Sequence, residues 1–343
     1  MDKISTVSVI IPCLNEEKHI TECLDSVISN DYPKNDIEIL VVDGMSTDRT
    51  REILEKYEQK YDNIKVLDNV KKTPPTALNI GIKSSRGEII VRLDAHTVYE
   101  NDYISKCVRH LNESNADNVG GIWKIVSDVN GLVAGAITMV LGHPFGVGNA
   151  VYRINTSDSP REVDTVPFGC FKKSIFEKIG YFDETIPRNE DIDFNRRIKK
   201  QGGKIMLFPD IICYYHARTK YLKYCKHNLA NGIMVTFPIK YGKGILAGRH
   251  LIPLVFVSGL LVSFALSFLS VYYIYLFLFT VTLYLLTSIF FSIKIVLTGE
   301  KMIYLFILPF MFFSLHFCYG LGSIWGLVKI LLPGSKENVK ACF

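Results

Sequence analysis

Residues 89–96 read Ile-Ile-Val-Arg-Leu-Asp-Ala-His, a short apolar run that ends in a carboxylate and an imidazole two positions apart. The same pattern recurs upstream. Val7 to Ile11 runs into Pro12-Cys-Leu-Asn-Glu16, Ile37 to Val42 runs into Asp43-Gly44, and Ile64 to Leu67 forms a further short run. Helical patterns separate them: Glu16 to Ser29 with Ile20, Leu24, Val27 and Ile28 on one face, a charged stretch from about Arg49 to Tyr61, and Thr76 to Lys83. Strand and helix in alternation predict an α/β fold, a parallel sheet flanked by helices. Ligands of such sheets bind beyond the carboxyl ends of the strands. Pro12 to Glu16, Asp43 and Asp94 should therefore share one edge. No Gly-x-Gly-x-x-Gly follows the first strand, which disfavours a dinucleotide-binding Rossmann domain, as it does a Walker loop.

Composition divides the chain. Of 343 residues, 48% are hydrophobic, and few of the charges fall after about residue 251. A bilayer core of ~30 Å takes roughly 20 apolar residues per helix. Leu251 to Leu297 can hold two spans with a turn near Ser270, and Met302 to about Ile324 a third, after the polar Thr298-Gly-Glu-Lys301. The expected division is a domain over 1–240 and a membrane region over 241–343 with about three transmembrane or re-entrant helices. Val7 to Ile11 is too short for a secretory signal, so the N-terminal domain is expected in the cytoplasm. Lys240, Lys243 and Arg249 before the first span agree with the positive-inside rule. Lys329, Lys336 and Lys340 disagree with it for an odd number of spans, so the span count and topology stay open.

The eight cysteines form no Cys-x-x-Cys or other zinc spacing, and read as reduced thiols. Cys342, second from the end, does not fit a prenylation box. A net charge of +5, without basic residues interleaved with aromatics, argues against a nucleic-acid partner and suits an anionic membrane surface.

Three constellations carry chemistry. Asp94 and His96 at a strand end can turn toward one divalent ion, able to neutralise a departing diphosphate. The imidazole shifts preference from Mg²⁺ toward Mn²⁺. Asp43 can accept from a uracil N–H or a ribose hydroxyl, while Ser46 or Thr47 could cap the helix that starts near Arg49. Glu190-Asp191, with Asp193, opens a helical stretch. Neighbouring carboxylates raise one another's proton affinity, as a general base near neutral pH requires. The alternative is a set of acids at a helix N-terminus paired with Arg196 and Arg197.

Val9-Ile-Ile-Pro-Cys-Leu-Asn-Glu16, Val41-Val-Asp-Gly-Met-Ser-Thr-Asp-Arg-Thr50, Arg92-Leu-Asp-Ala-His96 and Asn189-Glu-Asp-Ile-Asp-Phe194 occur in this order. Together they resemble the family 2 glycosyltransferases of GT-A fold. The closer resemblance is to bacterial exopolysaccharide enzymes of the succinoglycan type, which share Asp-Ala-His, the segment His143-Pro-Phe-Gly-Val-Gly148 and the pattern His316-x-x-Tyr319-Gly320-x-Gly322. It implies a GT-A-type mixed, largely parallel sheet over residues 5 to about 235. By position, Pro12, Leu14, Glu16 and Asp43 would hold the nucleoside, and Asp94 and His96 the metal and diphosphate. Asp191 would be the base. Phe168-Gly169 would lie on the acceptor side, with Glu190, His216 and Arg218 as further acceptor or phosphate candidates.

Four departures stand out. His96 replaces the second acid of Asp-x-Asp, Gly44 follows Asp43, and Leu78-Asn79 replaces Arg-Asn, leaving Lys71 or Lys72 to supply the positive charge. His227-Asn-Leu-Ala-Asn-Gly232 stands where processive synthases carry Gln-x-x-Arg-Trp, so one sugar per encounter is expected. The Gly146-Val-Gly148 segment reads either as a hinged loop closing over the substrates or as a plain connector.

The resemblance implies an inverting, non-processive hexosyltransferase using a nucleotide sugar, UDP-linked by expectation. Its acceptor would be a polyprenyl-linked glycan in exopolysaccharide, capsule or surface-glycan synthesis. The enzyme would sit in the plasma membrane with its catalytic domain in the cytoplasm, and its oligomeric state is open. The alternatives are a polyprenyl-phosphate sugar synthase and a degenerate scaffold or sensor subunit.

Overall fold

The computed structural model describes residues 4–154, 158–241 and 248–331. Lys243, Lys336, Lys340 and Cys342 lie outside them. The chain clusters into two compact units, one of 1–124 with 155–216 and the other of 125–154 with 217–343.

The first unit is built on the strands β1 Val7–Cys13, β2 Ile37–Asp43, β3 Ile64–Asp68, β4 Ile89–Arg92, β5 Thr97–Tyr99, β6 Asn118–Val126, β7 Arg161–Glu162, β8 Cys170–Lys172 and β9 Ile205–His216. Their order is β3-β2-β1-β4-β8-β6-β9-β5, with β7 beside β9. β3, β2, β1 and β4 are parallel, whereas β4–β8, β8–β6, β9–β5 and β9–β7 pair antiparallel. The sheet is therefore mixed, with its parallel half carrying the strand ends read from the sequence. β2 is buried along its whole length, as a central strand covered on both faces must be. Its buried Glu38 lies in register with Ser8 and accepts from the Ser8 hydroxyl at 2.5 Å and from Arg86 Nε at 3.1 Å. The helix Pro74–Ser84 packs so closely on β1 that a Cβ at Gly81 would come within 2.5 Å of Ile10.

The first helix starts at Ile20, later than the sequence pattern suggests. Glu16 and Glu17 give their amides to Thr50 Oγ1 (2.8 Å) and Asp48 Oδ2 (3.3 Å), so residues 14–19 are held as a loop.

Among the described residues, the second unit contains three helices long and apolar enough to cross a membrane: Gly248–Leu266, Val271–Val296 and Tyr304–Leu331, of 19, 26 and 28 residues. Ser270 precedes the second, at the expected turn. The Tyr221–Thr236 helix lies along Tyr304–Leu331, backbone against backbone. A Cβ at Gly322 would fall 2.1 Å from the Leu229 carbonyl oxygen, and one at Gly232 would fall 2.0 Å from that of Tyr319. The His316 to Gly322 pattern is thus a packing surface. His316 Nδ1 lies 2.8 Å from the Tyr284 hydroxyl. The His143–Gly148 segment is a short helix, Pro144–Val147, seated on these apolar helices. The Phe145 ring lies 4.9 Å from Phe291 and from Phe312, and 5.2 Å from His316. Gly146 is buried, and a Cβ there would meet the Val140 carbonyl oxygen at 2.1 Å, so tight packing is what requires this glycine.

Candidate active site

Two loops, after β1 and after β2, are stitched together at the carboxyl edge of the sheet. Asn15 sits at φ 56°, donates its amide to Ser46 Oγ at 2.9 Å and accepts the Thr47 amide on its Oδ1 at 2.8 Å. Asp43 ends β2 with its side chain buried. It accepts from Ser46 Oγ at 2.6 Å, and its other oxygen lies 3.6 Å from Arg51 Nη1. Neither Ser46 nor Thr47 caps the following helix. Ser46 is held by Asp43 and Thr47 by Asn15, the N-cap position is Arg49 without a side-chain cap, and Asp48 before it accepts the Thr50 amide at 3.0 Å. Pro12 is half-buried and Leu14 is exposed on this platform, in contact range of Gly44.

Beyond β4 the backbone of Asp94 is fixed from two sides. Its amide donates to the Tyr99 hydroxyl at 2.7 Å, and its carbonyl accepts from Cys23 Sγ at 3.4 Å. The Tyr99 ring is anchored in the core. The Asp94 side chain turns to His96, Oδ1 to Nδ1 2.8 Å, and Glu16 Oε1 reaches the same nitrogen at 3.3 Å. Burial opposes charging of the imidazole, yet Asp94, Tyr215 and the hydrogen bonds to Asp94 and Glu16 raise His96 well above the ordinary histidine value. Burial likewise opposes ionisation of Asp94, but His96 and Arg92 together hold its carboxyl below the usual range.

Two carboxylates thus converge on one imidazole nitrogen. That oxygen, oxygen and nitrogen donor set fits a divalent cation. Glu16, expected among nucleoside contacts, is joined by this geometry to the metal-binding candidates. His216 also comes to this edge: its amide donates to the His96 carbonyl at 3.2 Å, and its ring lies 5.3 Å from His19. His19 was not singled out by any spacing rule, since its neighbours come from distant strands.

The third group opens the helix Glu190–Lys200, after Asn189 in the left-handed region at φ 60°. Asp191 is half-buried, and its Oδ1 accepts the Ile192 amide at 2.9 Å. The two flanking acids are committed elsewhere. Asp193 pairs with Arg196 at 3.2 Å and Arg197 at 2.9 Å, as the bland reading of this helix expected. Glu190 pairs with Arg92 at 2.6 Å. Burial raises the Glu190 carboxyl, Arg92 opposes this and the Asp191 charge adds to it. Arg92 could not be found from the sequence, where it reads as one interruption of an apolar strand.

Phe168 and Gly169 have positive φ, 61° and 100°. The Phe168 ring is in the core, 5.3 Å from Trp123, and the Gly169 carbonyl accepts the Arg92 amide at 3.0 Å. Lys71 is joined to Glu184 at 2.7 Å, and Asn79 ties the same turn through the Phe182 carbonyl at 2.9 Å. Arg218 belongs to the second unit, with its guanidinium 3.2 Å from His227.

The sequence profile of glycosyl transferase family 2 matches residues 8–180, just over half of the chain. The chain is a family 2 glycosyltransferase. A relative from Methanococcus voltae is 28% identical over 94% of this chain and 97% of its own. Its name is dolichyl N-acetyl-α-D-glucosaminyl phosphate 3-β-D-2,3-diacetamido-2,3-dideoxy-β-D-glucuronosyltransferase. The succinoglycan biosynthesis protein ExoA of Rhizobium meliloti is 25% identical over 64% of this chain and 66% of its own. Among solved structures, the mannosyltransferase PcManGT of Pyrobaculum calidifontis, in complex with GDP-Man and Mn²⁺, covers 95% of this family 2 enzyme and 88% of itself. Its TM-score is 0.59 at 15% identity, a likeness of fold. The GT-A-like mixed sheet and the three apolar helices are thus those of a known enzyme architecture.

Proposed function

We propose that this enzyme moves a hexose, with inversion, from a nucleotide sugar, UDP-linked by preference, to a saccharide carried on a polyprenyl lipid. One sugar is added per encounter, in assembly of an exopolysaccharide, capsule or surface glycan. The catalytic part, about 1–240, faces the cytoplasm, and the apolar helices hold it in the plasma membrane beside its acceptor. The observation that carries the chemistry is the convergence of Glu16 and Asp94 on His96 at the carboxyl ends of β1 and β4. The acceptor class is supported by the Methanococcus voltae relative, alike over nearly its full length, whose named acceptor is a dolichyl-linked sugar phosphate. That acceptor already carries a sugar, which favours a hydroxyl over a bare lipid phosphate as the attacking group.

Asp94, His96 and Glu16 would hold a divalent ion. When bound, the ion supplies positive charge against the diphosphate that leaves with the nucleoside. Pro12, Leu14 and Asp43 form the nucleoside platform, where a ligand hydroxyl or ring N–H would compete with Ser46 for Asp43. Asp191 accepts the proton of the acceptor hydroxyl as that oxygen bonds to the anomeric carbon. The bond from that carbon to the diphosphate oxygen breaks on the opposite face.

The test is to incubate membranes holding the protein with labelled nucleotide sugars and Mn²⁺, then extract and identify the lipid product. Label should enter the organic phase as a lipid-linked saccharide one residue longer. Product on a bare lipid phosphate, formed equally by Asp191→Asn, would instead identify a polyprenyl-phosphate sugar synthase.

A further inference from the structure

The ion pair of Arg92 and Glu190 is the most deeply buried one in the first unit among the described residues, with 12% and 5% of the side chains exposed and 2.6 Å between them. It is also incomplete. Nη2 is engaged, but Nε and Nη1 of Arg92 are buried without a hydrogen-bond partner. Removing both charges from water is expensive, and each orphaned donor adds to that cost. An apolar pair of similar volume is often as stable or more so. Stability alone therefore does not account for a pair of this kind.

Its placement does. Arg92 ends β4, two residues before Asp94, and its backbone amide is pinned to Gly169. Glu190 is the first residue of its helix, next to Asp191. Further along the helix, Arg197 binds Asp193 and reaches the carbonyls of Ile179 at 3.0 Å and Tyr181 at 2.8 Å. At the first turn, the Arg92–Glu190 pair joins the helix to β4, the strand that leads into Asp94.

We propose that the Arg92–Glu190 pair is a positioning strut, fixing the carboxylate of Asp191 relative to the donor-binding end of β4. The inference rests on the reading of Asp191 as the base. Neither strut residue touches the reacting atoms. The strut sets where Asp191 stands when the acceptor arrives, and a displacement of about 1 Å at such a group can cost roughly 10²-fold in rate.

The decisive variant is Arg92→Met with Glu190→Leu, which fills the space without charge. Its thermal midpoint in detergent and its UDP affinity should match or exceed those of the parent. Its kcat should fall by roughly 10²-fold with little change in the KM for donor. Arg92→Lys should recover part of the loss. Glu190→Gln, which keeps the shape, gives the same reading should the double variant fail to fold: kcat falls and donor KM holds. Asp191→Asn is run alongside. If Asp191→Asn is inactive while the double variant, or Glu190→Gln in its place, keeps kcat within about twofold, the pair is structural and the strut is refuted with the base intact. If Asp191→Asn keeps wild-type transfer, the base assignment falls first and the strut with it.

Discussion

At the scale of single residues, sequence and structure meet most closely at Asp94 and His96. Both are visible as the polar end of an apolar strand, and both lie where the ends of parallel strands gather. Glu16 was legible as a residue of this edge, but its contact with His96 was not, because 80 residues of chain separate partners that only the β1–β4 pairing brings together. Asp94→Ala should abolish donor turnover in a membrane assay. His96→Asp restores an all-carboxylate set, and retained activity with a shift of preference from Mn²⁺ toward Mg²⁺ would mark His96 as a ligand. Unchanged metal preference would remove it from that role. Glu16→Gln, which keeps the side chain's shape, should weaken metal-dependent turnover more than UDP binding if Glu16 joins the metal set. An equal loss in both would return it to the nucleoside.

At the scale of elements, the parallel half of the sheet was readable because each strand is a short apolar run and β1, β2 and β3 are each followed by a helix. The antiparallel half, β5 to β9, was not read. β4 runs into β5 and β7 into β8 with no helix between, β7 and β8 are only 2 and 3 residues long, and β9 mixes buried and half-buried positions over 12 residues. Glu38 in β2 shows how strictly that core is specified. Burial opposes its ionisation, but the Ser8 and Arg86 hydrogen bonds hold its carboxyl below the ordinary value of 4.5. With a folded pKa under the unfolded one, its contribution to stability is present above about 4.5 and fades as pH falls through the folded value. Glu38→Gln should therefore lower stability at pH 7 by about 1.5–3 kcal/mol. It should also flatten the loss of thermal midpoint below pH 5, and an unaltered acid profile would deny Glu38 this role. In the second unit, Gly322→Val should lower the detergent melting temperature sharply, since its Cβ would overlap the Leu229 carbonyl. Gly259→Ala, with nothing within 4 Å of its Cβ, should not. Equal melting of both would contradict the close helix contact.

At the scale of the whole molecule, composition located the three apolar helices, because length and the absence of charge are local properties, although the third runs on past Ile324 to Leu331. It did not show that residues 125–154 and 217–240 cluster with those helices, because that partition depends on contacts between distant segments. Exposed positions on those helices should behave as lipid-facing. Single-cysteine labels at Val262 and Leu278, 56% and 51% exposed, should resist a membrane-impermeant maleimide even in opened vesicles, while one at Val70, 77% exposed in the first unit, reacts once the vesicles are opened. Ready labelling at 262 and 278 would place those helices outside the bilayer. The most direct test of the enzyme itself is transfer of labelled sugar from UDP-linked donors, with Mn²⁺, into chloroform-extractable saccharide by membranes carrying the wild type, Asp94→Ala or Asp191→Asn. Label should appear in the lipid phase for the wild type alone, with UDP binding preserved in Asp191→Asn. Transfer by Asp191→Asn at the wild-type rate would contradict the site as drawn.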